Sequence, residues 1–417
     1  MTRSKLLEES FKAMLLGFPA MWQIGFFVHE MAYGLLSVFI PLYIISIGGS
    51  LLDVGLIVSI ATLVAIPASL FWGYICDKTM RYKRYILTSF IALSIILYLL
   101  TLTKDKTLFM LLYIVMSIFH VAHEPPKNVL ISELYSRGEW EKSFAFYEGF
   151  TEIGWLIGLI FGVFAYSFNS NSATILIICS FLNFLAFISS IFLVTDPILI
   201  LERGLVRIER ITNFACRGLT IASKVLSGLR VTENLIKENL TFFCVGLMLF
   251  AFASSTLFTP LPIFLAQNLQ LSTSMVYLVY VLNSCSAAFG YCLAGRKAGI
   301  CKEETYLQKI VMLRSILVFL LFIITIIGLH TVAFVALILA LMGLTYALYH
   351  IYALSISMEL IPAGKAGLFD SLVSLGSAIG AYLGPSTAQI FGFTFTFVLS
   401  GIVFFSAYIS FKASLRR

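Results

Sequence analysis

Gly73-Tyr74-Ile75-Cys76-Asp77-Lys78-Thr79-Met80-Arg81-Tyr82-Lys83-Arg84 separates two long apolar runs, about residues 51–75 and 85–103. Lys78, Arg81, Lys83 and Arg84 give this short connection four cations, which hold it on the cytoplasmic side of a membrane. Asp77 lies among them, four residues after Gly73. A glycine ending one hydrophobic segment and a basic cluster opening the next predict two membrane helices joined by a tight loop.

Composition extends that reading to the whole chain. Its 417 residues are 60% hydrophobic and 12% charged, with a mean hydropathy of +0.97. Soluble domains carry about 25% charged residues, so most of this chain faces lipid or other apolar helices. Runs of at least about 18 apolar residues are spanning candidates, and we count twelve. They are too long and too uniformly apolar for barrel strands. The expected fold is an all-α membrane protein with twelve transmembrane helices.

Of the 28 Lys and Arg, only Lys104 and Lys106 fall in a loop of the opposite side. The other 26 are read as belonging with the termini and even-numbered connections. That asymmetry places both termini in the cytoplasm and explains the net charge of +7 without a nucleic-acid partner. The first span is too long for a cleaved signal peptide and is expected to be retained. Seven cysteines, at 76, 179, 216, 244, 285, 292 and 301, form no CxxC pair, and no disulfide framework is expected.

Two six-helix repeats are visible. Ile40-Pro41-Leu42-Tyr43-Ile44 answers Leu261-Pro262-Ile263-Phe264-Leu265, and Leu130-Ile131-Ser132-Glu133-Leu134 answers Ile356-Ser357-Met358-Glu359-Leu360. Glu148, Gly154, Gly158 and Gly162 repeat the spacing of Asp370, Gly376, Gly380 and Gly384. Glycines four apart allow close helix approach in lipid. The expected boundaries are a first half over 1–194, a cytoplasmic linker over 195–239 and a second half over 240–417. Leu201, Leu205 and Ile208 in the linker are spaced for an amphipathic surface helix.

The loop, the repeat and the twelve runs together resemble the major facilitator superfamily, whose helix 2–3 loop reads Gly-x-x-x-Asp-(Arg/Lys)-x-Gly-Arg-(Arg/Lys). Met80 stands where that second glycine is common. The resemblance implies a cell-membrane, multi-pass secondary transporter in which the halves rock around a midplane site. Asp77, Lys78 and Arg81, Glu133 and Arg137, and Glu359 and Lys365 are read at cytoplasmic helix ends as gating contacts. The resemblance further implies that Asp77 interacts with basic residues and with the start of helix 11 while the cavity faces outward.

Candidate substrate or proton ligands come from ionisable groups at membrane depth, where charge is expensive and lipid exposure improbable. They are His29 and Glu30 with Tyr33 in helix 1, and Tyr113, His120, His123 and Glu124 in helix 4. Glu148 and Glu152 in helix 5 and Asp370 in helix 11 complete the set. Trp22, Phe26, His29 and Tyr33 share one helical face, as do Tyr113, Ser117, His120 and Glu124; either stripe can equally be helix packing. Desolvation raises a carboxylate's pKa and lowers that of an imidazole, so the two together can pass a proton. Glu124 is the preferred carrier. His120 and His123 are metal-ligand types at i, i+3, but they do not form the His-Glu-x-x-His of zinc hydrolases and no fourth ligand is indicated; neither metal nor cofactor is expected. Pro125 and Pro126 predict a bend beside this cluster.

No Walker A sequence supports ATP-driven pumping, and the paired-aspartate runs of membrane prenyl transferases are absent. No attached signalling domain is visible. The expected function is therefore not enzymatic but secondary active transport of a cationic, sugar-like or drug-like solute. A proton or other coupling ion and membrane lipid are the expected partners, and the protein a monomer. A facilitative uniporter or a transporter-like receptor is the alternative. Arg314 is read as lying near a cytoplasmic helix end, a poor anion site.

Overall fold

The computed structural model describes residues 21–134, 140–168, 171–196, 235–297, 303–327, 332–360 and 367–414, and among them it is helical without a strand. The helices are α1 (Gln23–Ser46), α2 (Leu51–Thr79), α3 (Tyr82–Leu102), α4 (Lys106–His120), α5 (Glu124–Leu134), α6 (Trp140–Ser167) and α7 (Ser172–Leu193). After 197–234 follow α8 (Leu235–Phe258), α9 (Thr273–Lys297), α10 (Glu303–Ile327), α11 (Val332–Leu360), α12 (Gly367–Phe391) and α13 (Phe393–Ser414). The amphipathic helix expected around Leu201, Leu205 and Ile208 lies outside the described residues.

Eleven spans are long and apolar enough to cross a membrane. The run expected at 366–390 is α12, which is 25 residues long but not among the eleven. Its interior is diluted by Gly376, Gly380, Gly384 and Pro385. Those glycines serve packing: a Cβ on each would press against the carbonyl oxygens of Met248, Phe252 and Thr256 in α8. Large apolar side chains such as Phe164, Phe181, Phe192, Ile326 and Phe395 are exposed, as a lipid-facing surface requires.

The glycine spacing recurs in α6. Gly154 and Gly158 abut the carbonyl oxygens of Phe27 and Met31 in α1. Most packing partners correspond in the same way. In the first set α1 packs on α6 and α7, α3 on α7, and α4 on α2 and α3. In the second, α8 packs on α12 and α13, α10 on α13, and α11 on α9 and α10. Contacts between the sets run mainly through α6 with α9 and α2 with α12.

Span 4 breaks where the prolines predict. Pro125 lacks an N–H and its ring crowds the carbonyl four residues back, which is that of Val121. The chain therefore passes through a 3-10 turn, Val121–His123, before α5 resumes. At the basic connection, α2 continues through Thr79, so Gly73–Thr79 is helical and the loop shrinks to Met80 and Arg81. Met80 is left-handed, at φ 56°. That conformation explains why glycine suits this position, since an L side chain there meets its own carbonyl.

Candidate functional site

The contact between α6 and α9 holds a carboxylate near mid-helix. Glu152 lies about 18 Å along α6 at 1.5 Å per residue, and Ser284 Oγ of α9 donates to its Oε1 at 2.5 Å. The helix splits its duties by face: Gly154 and Gly158 meet α1, while Glu152, roughly 200° around from Gly154 at 100° per residue, meets α9. Glu148, half-buried, sits one turn earlier. Glu30 of α1 is also half-buried, and Asp370 is exposed on the first turn of α12. Across from them, Tyr291 of α9 approaches His350 Nδ1 of α11 at 3.3 Å.

His29 leaves its neighbour Glu30 and turns into the first set of helices. It is fully buried, its Nδ1 lies 2.8 Å from Asn183 Oδ1 of α7, and it stacks on Phe90 of α3 at 4.8 Å. His120 stacks on Tyr33 at 4.2 Å. His123 is buried, with Nδ1 3.2 Å from Ser89 Oγ and Nε2 3.3 Å from Glu124 Oε1. The three imidazoles offer ring nitrogens all within 4.8 Å of one another. Residues 29, 120 and 123 thus converge, whereas the one-face reading of Tyr113, Ser117, His120 and Glu124 does not hold across the 3-10 turn. Ser117 points to the carbonyl of Ala61 in α2, and Tyr113 stacks on Phe109. The stripe Trp22, Phe26, His29 and Tyr33 is packing in large part, with Trp22 stacked on Tyr147 and Phe26 edge-on to Phe90.

Glu124 is bound on both oxygens, by His123 Nε2 and by Lys127 Nζ one turn on. Lys127 also lies over the Tyr147 ring at 5.4 Å. Lys127 is therefore a cation at membrane depth and does not belong to a loop. The same correction applies to Arg314. It stands about 16 Å into α10 at 1.5 Å per residue, is 1% exposed, and is walled by Phe250, Phe258, Tyr346 and Phe404 at 5.2–5.7 Å. Its Nη1 donates to Met342 O at 2.8 Å.

Asp77 and Lys78 are exposed on the last turn of α2, with Lys78 over Tyr74, and Arg81 caps the start of α3. Lys83 ties this region to the end of α7 through Asp196 and the carbonyl of Ile191. Of the other expected gating residues, Arg137 and Lys365 and the side chains of Glu133 and Glu359 lie outside the described residues. Sequence reasoning passed over Ser284, a hydroxyl in the short polar stretch Asn283-Ser284-Cys285-Ser286 with no ionisable neighbour to single it out. It also did not see that His29 would complete a triplet, because helical spacing fixes a face but not the neighbour that the face meets.

No curated protein matches the sequence significantly. The solved structures it resembles include a mutant of the nucleoside transporter NupG, with a TM-score of 0.72 at 13% identity over 95% of this chain and 99% of that one. The human organic anion transporter MFSD10 gives 0.65 at 12%, over 94% and 98%. A bacterial homolog of the human lysosomal transporter Spinster, inward-facing and occupied, gives 0.64 at 14%, over 97% and 96%. At such identities the likeness speaks for the fold alone. The sequence profile of the Major Facilitator Superfamily matches residues 24–369 and 243–416, so with eleven candidate spans this multi-pass integral membrane protein belongs to that family of transporters.

Proposed function

We propose that the chain is a secondary active transporter that moves a small solute between two six-helix halves by alternating access, with Glu152 carrying the coupling proton. The halves are residues 1–194 and 240–417, joined by a cytoplasmic linker over 195–239; the protein works as a twelve-span monomer with both termini in the cytoplasm. The observation that carries this reading is the Ser284–Glu152 hydrogen bond, which joins the α6 and α9 surfaces near mid-helix. A carboxylate at that depth is costly and marks function by default. Protonating it changes the strength of a bond between the halves, which is what coupling requires.

Glu124, the carrier preferred from sequence, has its oxygens occupied by Lys127 and His123. A proton would have to compete with an ammonium there, whereas at Glu152 it competes with a neutral hydroxyl. We therefore assign the proton to Glu152, and place Glu30, Tyr33, Tyr113, Glu148 and Asp370 around the solute, with Tyr291 and His350 opposite. Acid-rich walls favour a cationic or polyhydroxylated solute. Arg314 is sealed by rings and gives an anion no purchase. Bonds between the halves at the far end from Asp77 support closure there: Leu52 N to Gln389, and Ser167 to Ser274. Asp77, Lys78, Arg81, Glu133, Arg137, Glu359 and Lys365 are assigned to the opposite gate.

The test is uptake by purified protein in liposomes, after a thermal-shift screen of organic cations, sugars, amino acids and drugs at several pH values. Accumulation driven by an inward proton gradient is expected. Binding without flux would make the protein a receptor, and flux that never exceeds equilibration would make it a uniporter.

A further inference from the structure

Three of the chain's five histidines meet between α1, α3, α7 and the turn that breaks span 4. We propose that His29, His120 and His123 bind a divalent transition-metal ion of the zinc class, which fastens the turn Val121–His123 to α1. The inference stands apart from the transport reading.

The hydrogen bonds fix the tautomer that makes His29 a ligand. Asn183 Nδ2 donates to the carbonyl of Cys179 at 2.9 Å, so its Oδ1 faces His29 and accepts from Nδ1–H at 2.8 Å. His29 Nε2 is then a bare lone pair in a fully buried side chain, and it has no hydrogen-bond partner. His120 Nδ1 is a second buried ring nitrogen without one. A buried acceptor left without a donor is costly, and a cation between the rings satisfies both at once.

Geometry and surroundings agree. Ring nitrogens bind zinc at about 2.0–2.1 Å, which sets neighbouring ligands about 3.4 Å apart in a tetrahedron. From separations within 4.8 Å, each ring needs to move inward by less than about 1 Å. Metal-binding imidazoles commonly donate their other nitrogen to an outer oxygen, the part Asn183 plays for His29. Ser89 stands beside His123 in the same way, and Glu124 Oε1, 3.3 Å from His123 Nε2, supplies negative charge and a candidate fourth ligand. Imidazoles select zinc, nickel or copper over magnesium and calcium. His29 and His123 are at most 1% exposed, with Phe90 against the first and Phe26 against the second. So enclosed an ion is resident and not cargo.

The experiment uses full-length protein without a histidine tag, stripped with chelator and titrated with Co2+, whose ligand-field spectrum reports nitrogen ligation, then with Zn2+. Saturation at one equivalent, displacement by Zn2+ and indifference to Mg2+ are expected. His120→Gln, at the least buried of the three, should weaken Co2+ binding at least tenfold while His330→Gln leaves it unchanged. His29→Asn should do the same, and elution of each variant at the wild-type volume controls for folding. Absence of a stoichiometric spectrum, or wild-type Co2+ affinity in folded His120→Gln, would overturn the site. Zinc uptake into vesicles that His120→Gln abolishes would overturn the resident assignment.

Discussion

Glu152→Gln separates proton carriage from structure at the contact between the halves. The glutamine keeps the shape and an acceptor oxygen for Ser284 but binds no proton in the working range. A hydrogen bond to a charged group contributes about 1.5–3 kcal/mol and a neutral one about 0.5–1.5, so the swap weakens the Ser284 contact by about 1 kcal/mol. That shifts the balance between two transporter states by roughly fivefold. Driving force behaves differently: each pH unit across the membrane is worth about 1.4 kcal/mol per proton, a tenfold accumulation that the variant should lose entirely. In proteoliposomes, exchange of labelled for unlabelled solute should stay within about fivefold of the unmodified protein, while gradient-driven accumulation falls to simple equilibration. Ser284→Ala should retain accumulation with an altered pH profile. Wild-type accumulation with normal pH dependence in Glu152→Gln would refute the reasoning, and the proton would then have to travel through another carboxylate.

Gly158→Val drives a side chain into the carbonyl of Met31 and should cost about 3 kcal/mol, read as lost monodisperse protein; Gly295→Ala, whose Cβ meets Ala145 at 3.5 Å, should raise the melting midpoint slightly. Met80→Val puts a β-branched residue at φ 56° and should destabilise by about 1–2 kcal/mol, whereas Met80→Asn is tolerated, both read by thermal shift. Asp77→Asn should slow transport at unchanged membrane abundance, and an unchanged rate would remove Asp77 from the gate. A cysteine at Ser50 should react with an impermeant label from outside and one at Arg210 only after permeabilisation; outside labelling at Arg210 would invert the topology.

Much of the scaffold is written in regular spacing, and that part was readable. Gly154 and Gly158 of α6 and the three glycines of α12 repeat because two helices must each lie against a partner's carbonyls, and the partners turn out to be α1 and α8; Gly162 instead lies against the Tyr277 ring of α9. Pro125 and Pro126 announced the break in span 4 because a missing donor and a steric clash need no tertiary context. The depth of Arg314 was less legible. Glu303, Glu304 and Lys309 make the first turns of α10 look like loop, so an apolar window starts late and sets the arginine near an end. Likewise Asp77 read as a loop residue, although nothing between Gly73 and Thr79 stops a helix before the left-handed Met80. The histidine triplet was beyond reach because His29 and His120 are brought together by packing between helices, which periodicity does not encode.

The two halves share a frame and differ in where they keep their charges. Glu148 and Asp370 occupy equivalent positions, but Glu152 corresponds to Ser374, so one half carries the extra acid. The second half's deep cation, Arg314, is enclosed by four aromatic rings and a backbone carbonyl. Under the proposed alternating access, a charge walled off in this way keeps one environment whichever way the halves tilt. Glu152, by contrast, is hydrogen-bonded by the Ser284 hydroxyl of α9. Parting α6 from α9 exchanges that hydroxyl for water and changes the cost of ionisation. The proposed coupling is accordingly assigned to the acid at the seam, and the buried arginine packs α10 against α8, α11 and α13.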